Sequence, residues 1–310
     1  MPEVWRMKMR FILCILCINL IGCLPIQKEQ EFPRIPLVTI SSANITYNSN
    51  HKTIRLIKVG GAFPTWSSDN KKIFFVLGSD IFTVNINKAN LNRLTKGLLC
   101  DGSLLGGLSV APDDKRIAFV KMVTQRGRDM RDIYILNLEN WNVQRLTKSE
   151  GNNNFPSWFV DGKKIAFTSD RDGYARIYMM NETGEIFGRL TKGVADSMKT
   201  AFSKDGTKLA FVSFRDGNAE IYIMDSDGSN QRNLTNSPAM DIDPSWSPDS
   251  KKIVFASDRS GNFNLYVIDI DGSNVERLTE STEDEMNPAW SPSGHEIAFS
   301  SVHLSTGQIR

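Results

Sequence analysis

Residues suited to catalysis or metal binding are few in this chain of 310 residues. Its three histidines, His51, His295 and His303, lie outside any H-E-x-x-H or closely spaced Cys/His ligand set. No G-x-S-x-G nucleophile elbow occurs either. The sequence therefore predicts no catalytic residue, no metal and no cofactor. Paired carboxylates leave no local motif, so an enzyme using acids in a channel stays open as the alternative.

Two acidic hexapeptides, DSDGSN at 225–230 and DIDGSN at 269–274, are similar to part of a calcium-binding loop. Such a loop needs glycine at its sixth place and helices on both sides. The sixth residues here are Asn230 and Asn274, and no helical periodicity flanks them. The Asp-Gly pairs are typical of type I′ hairpin turns, which is the prediction we keep.

The first 22 residues differ from the rest and predict an export signal. A basic head with Arg6, Lys8 and Arg10 precedes the apolar run FILCILCINLI at 11–21. This run is shorter than the roughly 20 residues that span a membrane, and the pattern is that of a secretory signal. Its end, LIGC, resembles the lipobox of bacterial lipoproteins, which implies lipidation of Cys23 as the first mature residue. A plain secretory signal or an uncleaved anchor is the alternative, and the start codon is Met1 or Met7.

Charge and cysteine content limit the partners. The net charge of the whole chain is +2, and the signal segment contributes that excess, so the mature chain is near neutral. A chain without concentrated lysine and arginine is not expected to bind nucleic acid. Cys100 would be the only cysteine left after lipidation, so no internal disulfide is expected. We expect a monomer in the cell envelope, periplasmic or surface-facing, held by its lipid.

A repeat of about 44 residues runs through the remaining chain. Its recurring apolar positions are separated by 44, 48, 44, 44 and 44 residues. These positions are Trp66, Val110, Trp158, Phe202, Trp246 and Trp290. This period is typical of a propeller blade with four strands. The sequence predicts an all-β fold, a six-bladed β-propeller of antiparallel blades over residues 40–310, after a tether at 23–39.

The repeat carries a recognisable phrase. One unit reads PSWSPDSKKIVF at 244–255, then SDRSGNFNLYV at 257–267 and DGSNVERLT at 271–279. This phrase resembles the WD-like repeat of the TolB-type β-propeller family. Known members include periplasmic proteins that dock a peptidoglycan-associated lipoprotein, propellers of serine peptidases and carbohydrate-active enzymes. The resemblance therefore implies the fold more narrowly than the function.

The chain ends are expected to share one blade. The last unit contains only its first two strands, and residues 40–58 match the third and fourth strands of the other units. We predict that residues 40–58 pair with residues 286–302 in a two-plus-two clasp that closes the ring.

The loops before the innermost strands vary between units and supply the candidate binding residues. Loops on a rigid scaffold are where binding residues concentrate, although a solvated polar surface fits the same residues. The candidate rim is Asn153, Ser197, Asp241, Asp243, Glu285 and Asn287. The main functional hypothesis is a non-enzymatic scaffold that recruits an envelope protein through this rim and the channel mouth. The alternative is a carbohydrate-active or other small-molecule enzyme with carboxylates in the axial channel.

Overall fold

The computed structural model describes residues 44–46, 53–55, 62–86, 90–96, 107–125, 127–148 and 150–302. Every regular element in these ranges is a β-strand. Within them, no helix is long and apolar enough to cross a membrane. The signal segment 1–22, the tether 23–39 and the predicted lipidation site Cys23 lie outside the described residues.

The strands form five four-stranded antiparallel sheets and two hairpins. The amino-terminal hairpin consists of β1 (Asn44–Thr46) and β2 (Thr53–Arg55). The first two blades consist of β3 (Ala62–Trp66), β4 (Lys72–Leu77), β5 (Asp80–Asn85), β6 (Leu91–Arg93), β7 (Leu108–Val110), β8 (Arg116–Gln125), β9 (Arg128–Asn137) and β10 (Val143–Arg145). The third and fourth consist of β11 (Asn153–Trp158), β12 (Lys164–Ser169), β13 (Arg176–Asn181), β14 (Ile186–Arg189), β15 (Ser197–Phe202), β16 (Lys208–Ser213), β17 (Glu220–Asp225) and β18 (Arg232–Asn233). The fifth blade and the last hairpin consist of β19 (Asp241–Trp246), β20 (Lys252–Ser257), β21 (Asn264–Asp269), β22 (Glu276–Arg277), β23 (Asp284–Trp290) and β24 (Ile297–Val302).

Each blade is apolar on both faces, which is why it needs neighbours. In β20, Ile253, Val254, Phe255 and Ala256 are consecutive and fully buried. Alternate residues of a strand point to opposite faces, so both faces of this sheet are covered by protein. Blades packed face to face bury one another, as the sequence predicted.

Six innermost strands close into a ring. The strands β3, β7, β11, β15, β19 and β23 contact one another in that order, and β23 contacts β3. Where the ring closes, the indole N–H of Trp66 donates to the carbonyl of Ala289 at 2.9 Å. Trp246 makes the same bond to Ala201 of the preceding blade, also at 2.9 Å. The closing contact therefore repeats a bond that is found between two internal blades. The predicted all-β propeller is confirmed.

The predicted six complete blades are wrong in one detail, because the structure has five. Among the described residues, the sixth position holds two separate hairpins, β1–β2 and β23–β24, which do not join into one four-stranded sheet. The strand β2 does lie against β24, as the clasp requires. Both strands of the amino-terminal hairpin have only three residues, so little backbone is available for a ladder with β24.

The repeated arginines act inside their own blades. Each guanidinium lies 4.4 to 5.0 Å from the centre of a tyrosine ring of the same blade. The pairs are Arg171 with Tyr178, Arg215 with Tyr222, and Arg259 with Tyr266. The planar guanidinium stacks on the aromatic face, which favours arginine at these places.

Candidate functional site in the axial channel

The channel wall carries one left-handed residue in each innermost strand. Five of these strands contain a bulge at this place, where the register with the second strand shifts. The backbone φ at the six equivalent positions is 51° to 58°, or 98° at the glycine. These positions are Phe63, Gly107, Phe155, Lys199, Asp243 and Asn287. A bulge redirects a side chain, and here it directs two phenylalanines, a lysine, an aspartate and an asparagine to one level of the channel.

These six residues, here called the belt, surround a narrow cavity of about 130 Å³. Lys199 and Asp243 form an ion pair, with side chains that are 13% and 5% exposed. The backbone and side-chain nitrogens of Asn287 donate to the other Asp243 oxygen at 3.2 and 2.9 Å. The Lys199 ammonium also lies 5.5 Å from the centre of the Phe155 ring. The belt thus has a continuous polar side and a side carrying aromatic rings.

Two of the six candidate rim residues line this cavity, and four do not. Asp243 and Asn287 belong to the belt. The other four are almost fully buried, with exposures of 0% to 2%: Asn153, Ser197, Asp241 and Glu285. The expectation that these four stand on an exposed rim is therefore wrong. They begin the innermost strands, or lie near their start, and Asn153 also donates to Asp132 of the preceding blade at 3.1 Å.

Arginine partners explain two of these positions. The guanidinium of Arg259 donates to both oxygens of Asp241, at 3.0 and 3.1 Å. In the third blade, Arg171 donates to the side-chain oxygen of Asn153 at 3.0 Å. Burial raises the pKa of the Asp241 carboxyl, while Ser257 and Arg259 act against that increase. A polar residue at the start of a strand resembles loop sequence, so local pattern did not reveal its arginine partner 18 residues later.

Glu285 is the least satisfied of the four. Burial raises the pKa of its carboxyl to about 7, with a hydrogen bond to Thr279 opposing the shift and Glu283 adding to it. Its Oε2 atom has no hydrogen-bond partner among the described residues. In the preceding blade, Arg259 donates a hydrogen bond to Asp241, the residue equivalent to Glu285. Glu285 is thus a buried acid that favours its neutral form.

A second, wider cavity of about 510 Å³ follows along the same strands, towards the turns between first and second strands. Its walls include Trp66, Val110 and Phe202, and its mouth includes Lys204. Burial lowers the pKa of the Lys204 amine, and no nearby charge contributes to that shift. The sequence analysis missed Lys204; the signal was its position in the repeated phrase, where other units have proline, serine or valine.

Neither cavity holds a pair of carboxylates among the described residues. Asp243 lines the narrow cavity and is paired with Lys199. Asp114 lines the wide one, and its oxygens accept from the backbone and hydroxyl of Ser68 at 2.6 to 2.9 Å. Glycosidases of the usual type need two acids flanking the reacting bond. The alternative of an acid-catalysed enzyme therefore gains no geometric support from the described residues.

The acidic hexapeptides form hairpin turns. Asp225 accepts from Lys208 at 2.8 Å and from Asn230 at 2.6 Å, while Asp227 accepts from the amide of Ser229 at 2.8 Å. Gly228 has a φ of 93°, whereas Asp227 is not left-handed, so the turn is not the predicted type I′. It is a three-residue loop ending in glycine. No group of three or more potential metal ligands occurs in the described part of the chain.

Comparison with known proteins places this architecture in a family. The family description "TolB beta propeller domain" matches residues 108–200 and 192–310. The Tol-Pal system protein TolB of Francisella tularensis is 30% identical over 139 residues, 43% of this chain and 30% of that protein. Dipeptidyl-peptidase 5 of Porphyromonas gingivalis is 29% identical over 113 residues, 34% of this chain and 16% of the peptidase.

A solved structure gives the same result over a longer span. A TolB-like protein of Agrobacterium tumefaciens superimposes with a TM-score of 0.67 at 25% identity, covering 78% of this chain and 90% of that one. This chain spans less than a third of the length of the two curated relatives. The matched segments include more than half of the chain and four of its five complete blades. The chain therefore belongs to the family of the TolB beta propeller domain.

Proposed function

We propose that the protein is a non-enzymatic scaffold of the bacterial cell envelope that binds a protein partner at the narrow mouth of its channel. The observation that carries this proposal is the belt, where aromatic rings and a hydrogen-bonded polar chain converge at one level. Aromatic residues and arranged polar groups are what protein interfaces use for contact area and specificity. The lipid anchor at Cys23 is part of the same proposal.

Backbone conformation also supports a role for the belt. Phe63 and Phe155 have φ values of 56° and 51°, which are unfavourable for bulky side chains. Such strain concentrates at binding sites, where surrounding structure holds a residue in place. In both residues the strain brings an aromatic side chain to the wall of the narrow cavity.

The named relatives are compatible with protein binding. One curated relative is a Tol-Pal system protein, and it matches 43% of this chain. Among the described residues, neither channel cavity contains two carboxylates. A scaffold needs only a rigid ring with varied groups at its mouth, which these blades provide.

The variant Phe155→Asn tests the proposal. Asparagine tolerates the left-handed conformation and already occupies the equivalent position as Asn287, so the fold should be retained. Tagged mature protein is cross-linked in native envelopes, and proteins captured by wild type and variant are compared by mass spectrometry. We expect Phe155→Asn to fail to capture the proteins that wild type captures specifically.

The matched control is Phe187→Asn, which removes a 55% exposed ring from the outer strand β14. This control should capture the same proteins as wild type. Equal capture by Phe155→Asn, with an unchanged melting temperature, would show that the narrow mouth is not the interface.

A further inference from the structure

We propose that the wide mouth of the channel is a binding site for a carboxylate, with Lys204 as its cation. The ligand is the carboxylate of an extended peptide segment, either an acidic side chain or a free carboxyl terminus. This site lies at the opposite end of the channel from the belt, and the proposal does not depend on what binds there.

Positive charge at the wide mouth is concentrated in one residue of a repeated position. The six turns between first and second strands each place one equivalent residue at the cavity edge. These residues are Ser68, Pro112, Val160, Lys204, Pro248 and Pro292. Lys204 is therefore the single cation of this ring. Its ammonium forms no ion pair with any residue that the structure describes.

The carboxylates near this mouth are already engaged. Asp205 accepts from the Ser203 hydroxyl at 2.6 Å and from the Thr207 amide at 2.9 Å. Asp249 repeats this arrangement in the next blade. Asp114 is bound to Ser68, two blades away from Lys204. These acids are held within the turns, so an arriving carboxylate would be the counter-ion for Lys204.

The surrounding protein partly desolvates Lys204, which strengthens that ion pair. Lys204 is exposed at its surface, yet the walls of the mouth displace enough water to lower the pKa of its amine. A partly desolvated ammonium gains more from an opposite charge than one in bulk water does. Pairing with a carboxylate would therefore raise the amine pKa and hold the ligand.

Hydroxyl groups below Lys204 add hydrogen-bond donors. The Ser109 hydroxyl accepts from the backbone amide of Trp158 at 3.2 Å. The Ser245 hydroxyl accepts from the amide of Trp290 at 3.1 Å. A hydroxyl that accepts one bond still has its own proton to donate. Both serines line the cavity, so they can donate to carboxylate or peptide carbonyl oxygens.

The size and lining of the cavity fit a peptide segment. Its volume of about 510 Å³ lies within the usual range of about 300 to 1,000 Å³ for ligand sites. Val110, Phe202 and the half-buried Trp66 give apolar contact beside the cation and the hydroxyls. An apolar side chain next to the carboxylate therefore has a place in the same site.

Protection of Lys204 from acylation is the first test. Mature wild-type protein is treated with an acetylating succinimidyl ester at pH 8, and modification of each lysine is followed by mass spectrometry. The probes are N-acetyl-Leu-Leu with a free carboxyl terminus, its terminal amide, and N-acetyl-Leu-Glu amide. We expect the free acid to protect Lys204 and the first amide not to do so, with exposed Lys251 unaffected throughout.

The third probe separates the two sources of carboxylate. Protection by N-acetyl-Leu-Glu amide as well means that any carboxylate on a short peptide is accepted. Protection by the free terminus alone means that the site selects carboxyl termini. Protection by neither acid, or equal protection by the fully blocked peptide, overturns the proposal.

Binding to variants gives a second measurement. Lys204→Gln should bind the protecting probe at least about 10-fold more weakly, because a charge-assisted hydrogen bond is lost. Lys204→Arg keeps the cation and should bind within a few fold of wild type. Binding by wild type should also weaken as salt is added. Unchanged affinity in Lys204→Gln, measured on a variant that melts like wild type, would overturn the proposal.

Discussion

The indole nitrogen of Trp66 donates a 2.9 Å hydrogen bond to the carbonyl of Ala289, a residue 223 positions later in the chain. Trp246 makes the equivalent 2.9 Å bond to Ala201 between two internal blades. The two bonds have the same partners in the repeat, but Trp66 is half-buried at the closing interface whereas Trp246 is buried between internal blades. Comparing them therefore measures how firmly the ring is closed.

Trp66→Phe should lower the free energy of unfolding by at least about 1 kcal/mol, because one hydrogen bond and some apolar contact are lost. Trp246→Phe should cost at least as much, because its indole is buried. Urea denaturation followed by far-UV circular dichroism measures both. No measurable cost at Trp66, beside a clear cost at Trp246, would mean that the closing hydrogen bond does not form in solution.

The ion pair of buried Asp241 with Arg259 predicts a graded response to substitution. Asp241→Ala removes the carboxylate that accepts from the guanidinium and should destabilise the protein by about 2 kcal/mol. Asp241→Asn should cost clearly less, because Asn153 serves the same purpose for Arg171 in the third blade. Chemical denaturation at pH 7 compares the two variants. Equal costs would show that the side-chain oxygen of residue 241 does not support the arginine.

Glu285 predicts how stability changes with pH. Its pKa in the folded protein is raised to about 7 from an ordinary value of 4.5. The folded state therefore favours the protonated acid, and the contribution of Glu285 to stability is fully present below about pH 4.5. That contribution decreases as pH rises and is lost once the pH passes about 7. Thermal melts from pH 4.5 to 8 should show this decline in wild type.

Glu285→Gln isolates the effect, because the neutral amide resembles the protonated acid. The difference in melting temperature, variant minus wild type, should increase as the pH rises from 4.5 to 7.5. Asp241 and Glu220 also have pKa values raised by burial, so some decline should remain in the variant. Parallel curves for wild type and variant would show that Glu285 titrates normally in the folded protein.

The repeat was sufficient to predict the fold because its information is local. Trp246 and Trp290 lie 44 residues apart, and the residues between them show the strand and turn composition of one blade. The strand limits follow, since PSWSPDSKKIVF contains the end of β19 and most of β20. Pairing between β2 and β24 depends on residues far apart in the sequence. The composition of one repeat therefore could not predict that the described residues of these strands form no ladder.

The candidate site was harder to predict because conformation and burial there depend on distant partners. Lys199 and Phe155 adopt left-handed backbone, which neither side chain favours on its own. Asp241 resembled an exposed loop acid, yet a guanidinium 18 residues away buries it. Lys204 is an ordinary lysine locally, and its significance depends on the five uncharged residues around the same mouth.

Cys23→Ala tests the proposed lipid anchor. Without the thiol no acyl chains can be attached, and the exported protein should move from the membrane fraction to the soluble fraction. Cys14→Ala and Cys17→Ala are matched controls, because both cysteines lie within the apolar run at 11–21. Both controls should remain in the membrane fraction and incorporate labelled palmitate. Labelled Cys23→Ala protein, or wild-type protein that stays soluble after export, would contradict lipidation at Cys23.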